Sequence, residues 1–288
     1  MDGFINLLKP SGFTSSDAVV KTRIGLSKAL GEKVKVGHLG TLDPYGTGVL
    51  PIAVGKATKL FDYIIGSKKV YLAGITLGKE TDTLDSYGEI IKTDDKVFSL
   101  EDVKRVVKEQ IGEIDQLPPQ YSAKKINGEK AYDIARRGEF VELKTRKVTI
   151  YDIEVTEGLK PNNFNIKVEC SGGTYVRSIV RDIAYKLGTV GYMSYIIRTY
   201  SAGFSIDNTV TFDEFEKDPV KAIVPIDDII FNLYPKYELN EDIKDLALNG
   251  VKLKLNDMPE DTFVVTYHDK IIGMANNLDG KLIIKNRL

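Results

Sequence analysis

Segments with a period of two and segments with a period near 3.6 follow one another in this chain without regular alternation, and that order limits the fold more than anything else. "KVYLAGITLG" alternates as a strand, Val70, Leu72, Gly74 and Thr76 against Tyr71, Ala73 and Ile75. "NFNIKVECSGG" is a second strand, with Phe164, Ile166, Val168 and Cys170 on one face, and "YIIRTYSAGFSI" a third. Helical spacing appears in "TSSDAVVKTRIGLSKALG": Ser15 or Ser16 is placed to cap it, Val19, Val20, Ile24 and Leu30 share a face, and Gly31 stops it. It recurs in "SLEDVKRVVKEQIG", with Ser99 and Asp102 as a capping box, Leu100, Val103, Val107 and Ile111 on one side and Gly112 as the end. "TYVRSIVRDIAYKLG" turns Tyr175, Ile179, Val180, Ile183 and Leu187 inward and ends at Gly188. A doubly wound sheet needs repeated strand–helix–strand units, which this order lacks. The expectation is therefore α+β, a mixed, largely antiparallel sheet with flanking helices. Around "KDPVKAIVPIDDIIFNLYP" the pattern weakens, and Pro219 and Pro225 break it. Beyond it come one short helix, "NEDIKDLALNG", and the short strands "TFVVTYH", "KIIGMANN" and "KLIIKN". A boundary near residue 230 is expected, between a large domain, 1–229, and a small β-barrel module, 230–288.

The charge balance bounds the partners. Forty Lys and Arg face 41 Asp and Glu, a net −1, so a nucleic acid would have to be held by a local basic patch. One such region exists, "DQLPPQYSAKKINGEKAYDIARRGEFVELKTRKV", about 118–150. It carries Lys124, Lys125, Lys130, Arg136, Arg137, Lys144, Arg146 and Lys147, with Tyr121 and Tyr132 among them. Two readings stand: a solvated surface insertion, or a phosphate-binding arm. The single cysteine, Cys170, excludes an intrachain disulfide and sits on an apolar strand face, as a buried structural thiol does. With it, two histidines, His38 and His268, cannot build a zinc site of ordinary spacing; carboxylates alone could still hold a metal, but no Asp/Glu cluster suggests it. No basic segment followed by an apolar run opens the chain, and no window reaches about 18 uninterrupted apolar residues. A cytoplasmic protein with no membrane partner is expected.

"GVLPIAVGKAT" ends like a phosphate loop, but Leu50 stands where the first glycine is required. "CSGGTYVR" passes from strand through glycines to helix, a possible anion cradle resting on two glycines alone. "VGHLGTLDPYGTGVL", from Val36 to Leu50, is different. It isolates one carboxylate, Asp43, among Gly37, Gly40, Gly46 and Gly48, with His38 and Thr41 nearby and an apolar run, Val49 to Val54, behind. The bland reading is a turn aspartate before a proline, bonding its own backbone. The sharper one is a functional acid on a rigid loop that a flat ligand can approach closely.

This loop, as "GHLGTLDPYGTGVLPIAVGKATK", resembles the catalytic motif of the TruB family of tRNA pseudouridine synthases. The resemblance extends through "GFINLLKPSGFTSSDAV", "KKVYLAGITLGKETDTLDSYGE", "QLPPQYSAKKINGEKAYDIARRG", "CSGGTYVRSIVRDI" and "IIRTYSAGF", in the family's order and over nearly the whole chain. It implies a pseudouridine-synthase fold with a C-terminal PUA-like RNA-binding domain, an RNA-gripping insertion at about 118–150, and Asp43 as catalytic nucleophile, which needs neither metal nor cofactor. It implies that Arg177 pairs with Asp43, that Tyr71 stacks on the flipped uracil and assists loss of the C5 proton, and that Tyr175 is a second pocket tyrosine. Ile197 matches an apolar pocket-wall position, His38 a histidine that holds the nucleotide out of its stack, and Lys59 a lysine on RNA phosphate. Lys124, Lys125, Arg136 and Arg146 belong to the gripping arm. Each of these also has an ordinary reading: packing for the tyrosines, a surface ion pair for Arg177, a loop hydrogen bond for His38, solvated side chains for Lys59 and Lys9.

Two departures from the family pattern are small: Gly46 replaces a frequent alanine, and Met193 stands where some members carry histidine. The implied substrate is the T-loop uridine of tRNA, position 55 in tRNA numbering, which must be extruded from its stack before reaction. The T arm of tRNA is the expected partner, with no guide RNA, and the protein is expected to be a monomer. Two other functions compete: a non-catalytic tRNA-binding or tRNA-folding protein on the same scaffold, and a guide-dependent synthase of the dyskerin kind.

Overall fold

Three strands that alternate in the sequence lie side by side at the centre of one sheet. A computed structural model describes residues 1–288 apart from 123, 124, 127 and 140, and only the backbone of 125, 126, 130 and 132. The sheet runs Gly3–Lys9, Thr47–Val54, Gly191–Ser201, Lys69–Leu77, Asn163–Cys170, Arg146–Glu157, Gly112–Gln116. Neighbours are antiparallel except Gly191–Ser201 and Thr47–Val54, which run parallel through Ile197↔Thr47 and Arg198↔Gly48. The mixed, largely antiparallel α+β architecture expected from the segment order is what the chain forms.

The period-two strand Asn163–Cys170 buries Phe164, Ile166, Val168 and Cys170, and helices Leu100–Lys108 and Val176–Lys186 share that core. Cys170 is buried, and burial lifts its thiol to about 11, the state of an unreactive structural thiol. Strand Gly191–Ser201 is bulged at Met193/Tyr195 and again at Arg198/Tyr200. A bulge breaks strict in–out alternation, and five consecutive residues, Met193 to Ile197, line one cleft.

Helix Ser15–Leu30 turns a different face inward from the one its bulky residues suggested. Ser15, Ala18, Thr22 and Leu26 are buried, while Val20 and Ile24 are exposed. Small residues win because the helix packs closely: a β-carbon at Gly25 would stand 2.7 Å from the Phe215 ring. Its cap is Thr14 in a capping box with Asp17, rather than Ser15 or Ser16, and Gly31 ends it in the left-handed conformation as expected. Helix Leu100–Lys108 has the Ser99–Asp102 box but stops before Ile111, which is exposed, and Gly112 opens the next strand.

Helix Ile226–Leu233 runs continuously through residue 230. A second sheet follows, in the order Lys236–Glu238, Thr262–Tyr267, Lys270–Leu278, Lys281–Arg287, Leu253–Lys254. It is an open five-stranded sheet: among the described residues its end strands do not pair to close a barrel. One apolar cluster joins it to the larger sheet, with Phe4, Val49, Leu60 and Ile230 packed together with Val264 and Met274. Asn286 Nδ2 donates to the Lys59 carbonyl at 2.6 Å and Lys59 Nζ to the Arg287 carbonyl at 2.8 Å, a reciprocal strap across the same junction.

Candidate functional site

The loop 39–46 closes a hairpin between Val36–His38 and Thr47–Val54, which pair through Val36↔Val54, Gly37↔Ala53 and His38↔Ile52. At its tip Asp43–Pro44–Tyr45–Gly46 forms a turn, the Gly46 amide donating to the Asp43 carbonyl at 3.0 Å. The Asp43 side chain does not fold back on this turn. It faces Arg177, whose Nη2 donates to Oδ1 at 3.0 Å while Nε lies 3.0 Å from Oδ2. This two-pronged pairing fixes the plane of the carboxylate as well as its position. Arg177 is fixed in turn, because its side chain is 7% exposed and Nη1 donates to the Thr83 carbonyl at 3.1 Å. Nη1 also lies 3.6 Å from Asp85 Oδ2. Asp43 keeps 35% of its side chain exposed, open to a ligand on the side away from the guanidinium.

Buried groups hold the rest of the loop. Ser15 Oγ accepts from the Leu42 amide at 2.9 Å and donates to the Leu42 carbonyl at 3.0 Å, so the first turn of a helix pins the residue before Asp43. Lys9 Nζ donates to the carbonyls of Pro10, Phe13 and Pro44 at 2.9, 2.6 and 2.8 Å. Arg198, 1% exposed, donates from Nε to Val49, from Nη1 to Thr41 and from Nη2 to Gly40, at 2.7, 3.2 and 3.1 Å. Burial pulls the Lys9 ammonium down to about 8. His38 is pulled below the usual imidazole range by burial first and the Arg198 charge second, and its Nδ1 is buried without a partner.

Asp43 opens into a cleft of about 1090 Å³ lined by His38, Thr41, Arg177, Ile197, Tyr195 and Tyr121, among others. Of the residues to which the resemblance gives a catalytic or binding role, His38, Asp43, Arg177 and Ile197 are brought together here. Tyr71 is not in the lining: it is 6% exposed beside Arg198, and burial raises its phenol above the usual range. Tyr175 is also outside the lining, its backbone tied to Gln116 by bonds of 2.8 and 3.1 Å. Lys59 serves the strap to the C-terminal sheet. Arg136 and Arg146 are exposed outside the cleft, Arg146 with its guanidinium against Gly173. Lys124 and the side chain of Lys125 lie outside the described residues. Sequence reasoning passed over Arg198, Asp85 and the structural use of Lys9 and Ser15. The available signals were a lone arginine inside an apolar strand and the acid-rich "TDTLDS" run. Among the described residues no cluster of three His, Cys, Asp or Glu could hold a metal, and no helix is long and apolar enough to cross a membrane.

Residues 28–176 match the family model of the TruB family pseudouridylate synthase N-terminal domain. Over 278 residues the chain is 42% identical to the tRNA pseudouridine synthase B of Caldanaerobacter subterraneus subsp. tengcongensis, covering 96% of this chain and 95% of that protein. It is 43% identical over 290 residues to the Clostridioides difficile protein of the same name, covering 96% and 94%. A chain from a Cbf5–Nop10–Gar1 complex superposes with a TM-score of 0.72 at 26% identity, over 99% of this chain and 84% of that one. A chain from an H/ACA RNP bound to a substrate RNA containing 2′-deoxyuridine shares the fold, with a TM-score of 0.72 at 23% identity over the same shares. With these likenesses the mixed sheet and its clamped aspartate take on a class: a pseudouridylate synthase, an isomerase. Because the identity runs through nearly the full length, the chain belongs to the TruB family.

Proposed function

We propose that the chain isomerises uridine to pseudouridine in the T loop of tRNA, at position 55 in tRNA numbering, without a guide RNA and with Asp43 as nucleophile. The observation that carries this reading is the two-pronged Arg177–Asp43 pair, which presents one aimed, part-exposed carboxylate to a cleft. The names of the TruB relatives support the tRNA substrate.

Uridine and pseudouridine have the same composition. The C1′–N1 bond breaks, a C1′–C5 bond forms, the C5 proton leaves to water and N1 gains one. No electron is gained or lost overall, and a positioned carboxylate can serve as the nucleophile that splits the exchange into two steps. Arg177 aims Asp43, and Lys9, Ser15 and Arg198 hold the loop so that the acid need not be repositioned as the nucleotide arrives. Ile197 offers the uracil an apolar wall, and His38 keeps the extruded nucleotide out of its stack. Tyr71 stacks on the uracil and assists loss of the C5 proton, a role that requires its ring, now buried, to be uncovered when RNA enters. Tyr175, half-buried, completes the pocket.

Extrusion costs a few kcal/mol, offset by backbone contacts and stacking. The insertion, with Lys124, Lys125, Arg136 and Arg146, supplies phosphate contacts, and Lys59 adds one where it borders the C-terminal sheet. That sheet acts as a PUA-like grip on the acceptor side of tRNA. The protein works as a monomer in the cytoplasm, with a catalytic domain over 1–229 and the RNA-binding module over 230–288.

The test uses a T-arm RNA carrying tritium at C5 of its uridines and the purified protein alone. Release of about one equivalent of tritium is expected from the intact chain, and none from Asp43→Asn, which still binds the RNA. Turnover by Asp43→Asn would remove the nucleophile assignment. RNA binding by the intact chain without any release would favour a binding or folding protein on the same scaffold.

A further inference from the structure

Tyr45 and Tyr87 come from two separate turns that line the cleft and lie face to face, ring centroids 3.3 Å apart and planes inclined by 8°. They are 48% and 57% exposed. Neither ring stands on a free loop. Tyr45 follows Pro44, whose carbonyl accepts from Lys9 Nζ at 2.8 Å and from the Gly12 amide at 3.0 Å, and its own carbonyl accepts from Ser11 Oγ at 3.0 Å. The Tyr87 amide donates to Asp85 Oδ1 at 3.1 Å. Arg177 joins the two stems, 3.0 Å from Asp43 and 3.6 Å from Asp85. With both backbones tied, side-chain rotation is the available way to part the rings.

Aromatic side chains prefer offset or edge-on pairs with centroids about 4.5–7 Å apart over a face-to-face sandwich. A parallel pair at 3.3 Å has the form of stacked nucleobases, and it holds two large apolar faces in water at the mouth of a cleft. We propose that Tyr45 and Tyr87 form a nucleobase clip that opens when RNA binds, so that a ring stacks on the base next to the uridine entering the cleft. The proposal rests on the RNA-isomerase reading given above. The reacting base must reach Asp43 inside the cleft, so the clip at the mouth meets its neighbour. That neighbour loses a stacking partner when the uridine leaves its stack in the loop, and a tyrosine face replaces it. Every base has such a face, so the contact tolerates sequence. The exchange of ring–ring for base–ring stacking offsets part of the extrusion cost.

The test is fluorescence of a T-arm stem-loop in which each loop base flanking the target uridine is replaced in turn by 2-aminopurine, bound to the full-length protein. Quenching at one flanking position is expected with the intact chain and with Tyr45→Phe and Tyr87→Phe, which keep the rings. It is expected to be lost in at least one of Tyr45→Ala and Tyr87→Ala, with KM raised about ten-fold and kcat little changed on the unlabelled RNA. Equal quenching and equal KM in both alanine variants would overturn the clip. Tritium release by the intact chain, measured on the same stem-loop, separates the two readings: ring-dependent quenching without release keeps the clip and removes the isomerase. An RNA that the intact chain does not bind would remove both.

Discussion

At the scale of single residues, this protein solvates buried cations with backbone carbonyls. Lys69, 4% exposed, donates to the carbonyls of Ile65 and Ser67 at 2.8 and 2.9 Å, and Lys9 and Arg198 use the same device. Dipoles replace water incompletely, so burial pulls Lys69 from 10.5 to about 8, as it does Lys9. The sign of the linkage follows. Between about pH 8 and 10.5 the unfolded chain holds a proton on Lys69 that the folded chain has released, so unfolding takes up a proton and stability rises with pH. Below about 8 both states are protonated and the full cost of the buried charge remains. The stability of the intact chain minus that of Lys69→Met, from urea unfolding, should therefore rise from pH 8 to 10.5; a flat difference would mean that the ammonium is not desolvated. Residues of this kind are hard to read in sequence. Asp43 stood out because glycines and an apolar run isolate it, and Arg177 and His38 followed from the motif order. Lys9 looks like a surface charge until the loop it holds has a shape, and Arg198, a lone cation in an apolar strand, does not by itself say what it holds.

At the scale of elements, the hairpin that carries Asp43 depends on one glycine. Gly48 has φ +108, and a β-carbon there would meet the Arg198 backbone, its amide at 2.8 Å and its carbonyl closer still. Only glycine lets the two strands run parallel so closely beside the loop. Gly48→Ala should cost roughly 2–3 kcal/mol in urea unfolding and lower turnover as well, since it displaces the Arg198 anchor. An unchanged midpoint would show that the hairpin relaxes freely. Legibility at this scale was uneven for a physical reason. Strands buried on both faces and helices with marked caps, such as Lys69–Leu77 and the Ser99–Asp102 start, declare themselves through pattern. Helix Ser15–Leu30 did not, because close packing selected Ser15, Ala18 and Thr22 for its inner face while hydrophobicity pointed to Val20 and Ile24. The bulges in Gly191–Ser201 left no sequence mark either, though they let five adjacent residues face the cleft.

At the scale of the whole molecule, the two sheets share one apolar cluster and the Lys59–Asn286 strap. Separating them would expose Val264 and Met274 along with Val49 and Leu60. Calorimetry of the full chain should show a single unfolding transition, and two resolved endotherms would mean that the cluster does not couple the sheets. The irregular order of strands and helices announced the α+β class, but this coupling was not legible, because it joins residues far apart in sequence. The same remoteness marks the hold of Arg198 on the loop, whose three bonds span 149, 157 and 158 residues. Closing so long a stretch of chain is entropically slow. Asp43 therefore gains this part of its anchored geometry only once strand Gly191–Ser201 has docked, a contact expected to form after the local ones. The anchored loop becomes a record of completed folding, and a half-assembled molecule keeps the loop's sequence without the hold that gives it one shape.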